Sequence, residues 1–301
     1  MPPLTHCVTR GTMGRMTTGR VFVITGASNG LGLAAARALA DRDNHVILAV
    51  RDEQKGRRAQ ATLTGGSSEV RLIDLADLDS VRAFAGGLDR VDVLINNAGV
   101  MAPPRTLSSQ GYELQFAVNH LAHFALTGLL LDRLSAGADP RVVTVSSVLH
   151  KNGRLDFDDL NSERHYSATA AYNQSKLANA VFGLELQRRL TAAGSPVRSL
   201  LAHPGYASTG LQAAVQPGLY RTLLTKIGNP LLAVSAEQGA RPTVHAAISS
   251  QVSGGDFIGP SGWAGMRGAP GVVRPAPVAT DPETGRRLWA VSEELTGVRV
   301  A

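Results

Sequence analysis

A doubly wound α/β sheet is the fold class this chain predicts, on three observations. Apolar runs of five or six residues recur along its first two thirds, a helix-forming segment follows each, and a glycine-rich turn joins the first run to the first helix. Short, continuous apolar runs are what strands buried on both faces of a parallel sheet require. The helices between them supply the crossovers that parallel strands need.

The elements follow in order. RVFVIT (20–25) reads as the first strand and LGLAAARALA (31–40) as the first helix, since Ala and Leu are strong helix formers. HVILAV (45–50) precedes a charged helix from Asp52, and EVRLID (69–74) precedes a helix beginning near Leu78. VDVLIN (91–96) precedes a longer helix through Tyr112–Leu134. RVVTVSS (141–147) leads through a loop-rich insert to the helix of AYNQSKLANAVF (171–182), and VRSLLA (197–202) follows. DFIG (256–259) reads as the last of about seven strands, with helices on both faces. The Gly- and Pro-rich tail carries a short helix at Arg286–Leu295. Late loops of this kind cover the carboxyl ends of the strands, where ligands bind in open α/β sheets.

The chain has 301 residues, 44% of them hydrophobic and 18% charged, with no linker or repeat dividing it. A chain of this size can bury about 75% of its unfolded surface, so residues 19–301 are expected to form a single domain. Cleft elements are expected at 148–171 and 206–234, with a loop-rich segment at 254–301. Residues 1–18 lack the apolar stretch of a signal peptide and are read as a disordered extension. No run approaches 18 apolar residues, so no membrane span is expected. The single cysteine, Cys7, excludes an intrachain disulfide, fits a reducing compartment and leaves no cysteine cluster for a metal. A cytoplasmic location is the expectation. The net charge of +6 is scattered with no interleaved aromatics, which is a solvated surface and not a nucleic-acid footprint.

The turn TGASNGLG (25–32) sits between a strand and an Ala-rich helix, as a phosphate-binding turn must. Glycines let the backbone approach a pyrophosphate, and the helix N-terminus offers unpaired N–H groups and positive dipole. Gly26, Ser28, Asn29, Gly30, Leu31 and Gly32 are therefore the candidate cradle of a dinucleotide. At the end of the second strand an acid would bond a ribose 2′-OH, whereas Arg would pair with a 2′-phosphate. Arg51 stands there, which favours NADP(H) over NAD(H); Asp52 beside it argues the other way, and Arg51 as an ordinary solvated residue is the alternative. Asp74 and Leu75 close the third strand, with Asp74 either at the adenine edge or capping a helix. Asn97, Ala98 and Gly99, after Asn96, leave room for a ribose, while the asparagines either contact it or tie strand ends together.

Tyr172 and Lys176 lie one helical turn apart on one face. A Tyr has a pKa of about 10, and a fixed ammonium nearby favours its phenolate. Acid–base work near neutrality would need a lowering of roughly 3 units, about 4 kcal/mol. The spacing alone also fits a solvated helix face; the phosphate turn upstream is what favours chemistry.

These segments, TGASNGLG (25–32), NNAG (96–99), Asn119, the serines ending VVTVSS (142–147), YNQSK (172–176) and HPGYAST (203–209), resemble in order and spacing the short-chain dehydrogenase/reductases over roughly residues 18–260. The insert before Tyr172, with AYNQSKLAN, HPG and LWAVSEELTGV, is similar to the retinol dehydrogenase and protochlorophyllide reductase-like group. The resemblance implies a Rossmann-type domain and hydride transfer between a nicotinamide and a carbonyl or alcohol carbon. It implies that Tyr172 is the general acid/base, that Lys176 lowers its pKa and binds the nicotinamide ribose beside it, and that Ser147 bonds the substrate oxygen. Asn119 would hold a water relay behind the lysine, or else serve as a helix kink or packing amide. Pro204, Gly205 and Thr209 would line the nicotinamide.

The expected substrate is a bulky, mostly apolar small molecule, because 214–234 (AVQPGLYRTLLTKIGNPLLAV) could form an apolar lid; it reads equally as an interface helix. Reduction of a C=C bond, and a cofactor-binding sensor without turnover, are the alternative functions. Pairing through the two long helices would give a homodimer or homotetramer, although the insert-bearing group includes monomers. His120, His123, His150, His165 and His203 lack metal or triad spacing and read as ordinary surface or core residues. No GxSxG elbow is present, which argues against a hydrolase.

Overall fold

The apolar runs form strands where the alternation of their side chains fills two layers at once. The computed structural model describes residues 19–205, 235–262 and 266–300. The strands are β1 (Val21–Thr25), β2 (His45–Val50), β3 (Ser67–Leu72), β4 (Val93–Asn96), β5 (Arg141–Val145), β6 (Arg198–Ala202), β7 (Phe257–Pro260) and β8 (Pro270–Val272). They make one sheet in the order β3-β2-β1-β4-β5-β6-β7-β8, parallel except for the last pairing. The helices are α1 (Gly30–Ala40), α2 (Glu53–Gln60), α3 (Leu78–Gly86), α4 (Leu114–Ser135), α5 (Ala168–Ala192), α6 (Ala236–Ile248) and α7 (Pro282–Thr296).

Within β1, Phe22 and Ile24 enter a core with Leu39 and Ala246, while Val21 and Val23 enter another with Phe124, Phe182 and Trp289. Each fully buried large side chain of this kind contributes about 1.5–3 kcal/mol. Between β1 and β4 the strand order reverses direction, and the crevice at such a switch point is where open α/β sheets bind ligands.

Four sequence expectations change. The sheet has eight strands, because the Pro-Gly-Val segment of β8 pairs antiparallel to β7 despite its turn-like composition. β3 starts two residues earlier than EVRLID and stops at Leu72; as the sheet edge it is half exposed, with Leu72 54% accessible. The tail helix is longer than expected: Asp281 caps it by accepting the Thr284 N–H, Pro282 opens it, and Gly297 at φ +63° ends it. Within α4, Ala117–Leu121 is a π-helical turn, a form that concentrates at functional sites. α4 is long and apolar enough to cross a membrane, but 83% of its apolar window is buried inside the fold, so it serves here as a core helix. The expected N-terminal extension and the cleft element at 206–234 lie outside the described residues.

Candidate active site

The β1–α1 turn has the shape a pyrophosphate needs. Gly26 adopts φ +68°, and a Cβ on Gly32 would stand 2.4 Å from the Gly26 carbonyl oxygen and 2.6 Å from Asn97 Nδ2. Only glycine permits this approach. Asn29 at the N-cap makes no capping bond and the first turn of α1 holds no acid, so among the described residues no side-chain cap occupies the helix N-terminus. Those free N–H groups fit a dinucleotide phosphate. Ser28, Gly30 and Leu31 lie half-exposed along the same turn.

Arg51 is exposed at the end of β2, while Asp52 accepts the Lys55 N–H at 3.0 Å as the cap of α2. Its carboxylate is therefore engaged by the protein. Asp74 is not a helix cap: its Oδ1 closes its own turn on the Ala76 N–H (2.9 Å), and Asp77 caps α3. Leu75 beside it is buried.

At the end of β4, Thr25 Oγ1 accepts the N–H groups of Asn97 and Ala98, each at 2.9 Å, and Asn97 Nδ2 donates to the Thr25 carbonyl at 2.8 Å. The Asn97 side chain thus ties β1 to β4. Gly99 lies close to the reacting groups, since a Cβ there would be 3.1 Å from Asn119 Oδ1 and 3.4 Å from Lys176 Nζ. Asn119 sits in the π turn with its side chain fully used. Its Oδ1 accepts the Val100 N–H (2.8 Å), and Nδ2 donates to the Val100 carbonyl (3.0 Å) and to Ser175 Oγ (2.9 Å). These bonds fit the kink and packing-amide alternative for the side chain, and the water relay expected of Asn119 stays a proposal.

Ser147, Tyr172 and Lys176 converge. The Ser147 side chain favours the Tyr172 phenolate, and Lys176 Nζ stands 5.9 Å from the Tyr172 ring centre. α5 is buried nearly all round, which places Tyr172 and Lys176 out of water. Burial pushes the Tyr172 phenol up to about 12, opposed by the Ser147 side chain, and pulls Lys176 down to about 8. The expected lowering of Tyr172 by Lys176 is not what this geometry gives. The ammonium donates to the Val145 carbonyl at 3.1 Å, and desolvation dominates at Tyr172.

Pro204 and Gly205 follow β6, with Gly205 at φ +71°. Thr209 lies outside the described residues. The insert before α5 is fastened to the rim: Gln115 Nε2 donates to the Tyr166 hydroxyl (3.1 Å) and the Ala168 carbonyl (2.9 Å), and Tyr166 donates to the Pro103 carbonyl (2.7 Å). A cavity of about 860 Å³ between α1 and α6 is lined by residues such as Arg37, Val244 and Ile248 and by none of the residues above.

Of the five histidines set aside from the sequence, His165 is exposed and the other four are buried. His123 Nε2 meets Thr25 Oγ1 at 2.9 Å and its Nδ1 meets the Asn119 carbonyl at 3.0 Å, so one ring joins the phosphate-turn strand to the π turn. The i, i+4 spacing of Asn119 and His123 was the only local sign of that link.

The short chain dehydrogenase family matches residues 20–219. Human retinol dehydrogenase 13 is 42% identical over 93% of this chain and 85% of its own length. Among solved structures, an uncharacterized protein from Mycobacterium paratuberculosis is 48% identical over 94% of this chain and 95% of that one, with a TM-score of 0.80. A gluconate 5-dehydrogenase from Beutenbergia cavernae described as NAD(P)-dependent, with NADP bound, is 28% identical over 76% of this chain and 89% of that one, with a TM-score of 0.59.

Proposed function

The chain belongs to the short-chain dehydrogenase family and is an oxidoreductase of CH–OH and C=O groups, and from that premise we propose that it reduces a carbonyl on a bulky, mostly apolar small molecule with NADPH. The observation that carries this reading is the burial of Tyr172 together with Lys176, whose Nζ stands 5.9 Å from its ring, at the carboxyl ends of the strands where β5 delivers Ser147.

The nicotinamide cofactor, when bound, supplies the hydride. The phosphate turn binds its pyrophosphate through the N–H groups of α1, and Arg51 pairs with a 2′-phosphate. Ala98 and Gly99 leave space for the ribose that Lys176 holds. Ser147 orients the substrate carbonyl by donating a hydrogen bond to its oxygen. Tyr172, a neutral phenol at pH 7, is poised to give its proton to that oxygen. Lys176 is still charged at that pH, with its ammonium available to the ribose hydroxyls. A neutral Tyr172 favours the reductive direction. The apolar substrate class rests on the retinol dehydrogenase relatives, since retinol is a long apolar alcohol. A cytoplasmic location accords with one cysteine and with use of NADPH.

The test is to mix the protein with NADPH and a panel of aldehydes and ketones, retinaldehyde included, and follow the absorbance of the reduced cofactor with product analysis. Alcohol formation from the apolar members supports the reading. Binding of NADPH with no product from any carbonyl contradicts it.

A further inference from the structure

His150 lies three residues after Ser147, in the 3₁₀ turn Val148–Asn152, and is 1% exposed. Its two ring nitrogens join separate parts of the chain. Nε2 lies 2.9 Å from the backbone N of Ala276, and Nδ1 lies 2.6 Å from the carbonyl oxygen of Ser147. A backbone N–H only donates and a carbonyl only accepts, so the pairing fixes the tautomer: Nε2 is bare and Nδ1 carries the proton. The Ser147 carbonyl also accepts the His150 backbone N–H at 3.1 Å. Phe257 packs against the ring with centres 5.2 Å apart, and the Phe257 carbonyl holds the Val273 N–H at 2.7 Å. The segment from Val273 to Ala276 is thereby pinned beneath the serine turn.

We infer that His150 is a positioning residue for Ser147: it clamps the serine carbonyl to the Ala276 segment and so keeps the serine hydroxyl directed at Tyr172. The inference rests on the proposed roles of Ser147 and Tyr172. The Ser147 oxygen accepts the Leu149 N–H at 3.2 Å, which leaves its proton free and ties the hydroxyl to the local turn. Its direction therefore depends on the backbone at Ser147, and that backbone is held by the ring. Misplacement of a reacting group by about 1 Å can cost about 10²-fold in rate. Ring-held orientation of a neighbouring ligand is the same device that outer-shell partners use at metal sites.

Two isosteric substitutions separate the two ends of the clamp. An Asn side-chain nitrogen overlays the position of Nδ1, whereas a Gln side-chain oxygen overlays that of Nε2. His150→Asn keeps the donor to Ser147, and His150→Gln keeps only the acceptor for Ala276. Steady-state reduction kinetics, cofactor Kd by fluorescence and Tm are measured for both, with Ser147→Ala and the Ser147→Ala/His150→Gln double variant alongside. The expected result is that His150→Gln loses 10- to 100-fold in kcat with cofactor Kd unchanged, His150→Asn recovers to within a few fold, and Gln adds no further loss once Ser147 is Ala. Equal kcat for Asn and Gln, whether both high or both low, overturns the inference. So does an additive loss in the double variant. If Ser147→Ala itself keeps full kcat, the functional reading fails and the inference falls with it. If Ser147→Ala collapses while His150→Gln does not, only the inference fails.

Discussion

Lys176 donates its ammonium to the carbonyl of Val145 at 3.1 Å, on the strand that ends two residues before Ser147. Ser146 returns a bond from its hydroxyl to the Lys176 carbonyl at 2.7 Å, so β5 and α5 are locked at the reacting residues. The same burial that makes this lock strong sets the protonation of the site. Lys176 falls to about 8 and Tyr172 rises to about 12.

The kcat/KM for the cofactor in carbonyl reduction, which reports groups of the free enzyme, therefore holds level through neutral pH and falls as pH passes about 8. The limb marks loss of the Lys176 proton, because the Tyr172 phenol stays protonated over this range. Lys176→Met should remove the limb and lower the rate roughly 10²-fold. An unchanged limb in that variant would assign it elsewhere.

In the proposed function Arg51 sets the cofactor preference. Charge-assisted bonds to a phosphate contribute about 1.5–3 kcal/mol, so Arg51→Ala should weaken NADPH binding roughly 10- to 150-fold and leave NADH binding nearly unchanged. Titration of both cofactors by fluorescence checks this. Equal weakening of the two would remove Arg51 from the 2′-phosphate.

Acid should destabilise the fold earlier than carboxylates alone would. Burial holds His123 and His203 near about 4 and His120 near about 3, against an unfolded value of about 6.5. The unfolded chain binds more protons between those values, so this stability is complete above about 6.5 and is lost as pH falls toward about 4. At about 1.4 kcal/mol per pH unit, His123 alone contributes on the order of 3 kcal/mol. Calorimetry should show Tm declining between pH 6.5 and 5, above the carboxylate range. A flat Tm there contradicts the assignment.

α7 covers the face through which the resemblance implied pairing. The Arg189 guanidinium lies 4.3 Å over the Trp289 ring, Ser292 Oγ meets His120 Nε2 at 2.8 Å, and the Tyr112 hydroxyl donates to the Leu295 carbonyl at 2.9 Å. Behind it Val298 and Val300 pack on Gly128, where a Cβ would stand 2.5 Å from Val300 Cγ2. Light scattering on the full chain should give a monomer. Trp289→Ala should cost about 3–5 kcal/mol. A dimer broken by substitutions on the outer faces of α4 and α5 would refute the covering role.

Most of the frame was legible because apolar runs such as HVILAV and the glycine turn are local signals, and β2 spans that run from end to end. Ser147, Tyr172 and Lys176 were legible as a motif, and the fold brings them together. What escaped the sequence depends on distant partners. His123 finds Thr25 98 residues away and His150 finds Ala276 126 residues away, so neither spacing carried a signal. The π turn is set by Asn119 holding both ends of Val100, and β8 is a strand only because β7 offers it an edge. The raised Tyr172 was missed for a physical reason: pairing with an ammonium is visible in spacing, whereas the cost of burial appears only once α5 is enclosed.

In the proposed reaction Tyr172 delivers the proton to a carbonyl oxygen. Single-turnover hydride transfer from NADPH, in wild type and in Tyr172→Phe with cofactor Kd measured in parallel, tests it most directly. Loss of about 10²–10⁴-fold in the transfer rate with an unchanged Kd is the predicted result. Equal rates in the two proteins would contradict the account.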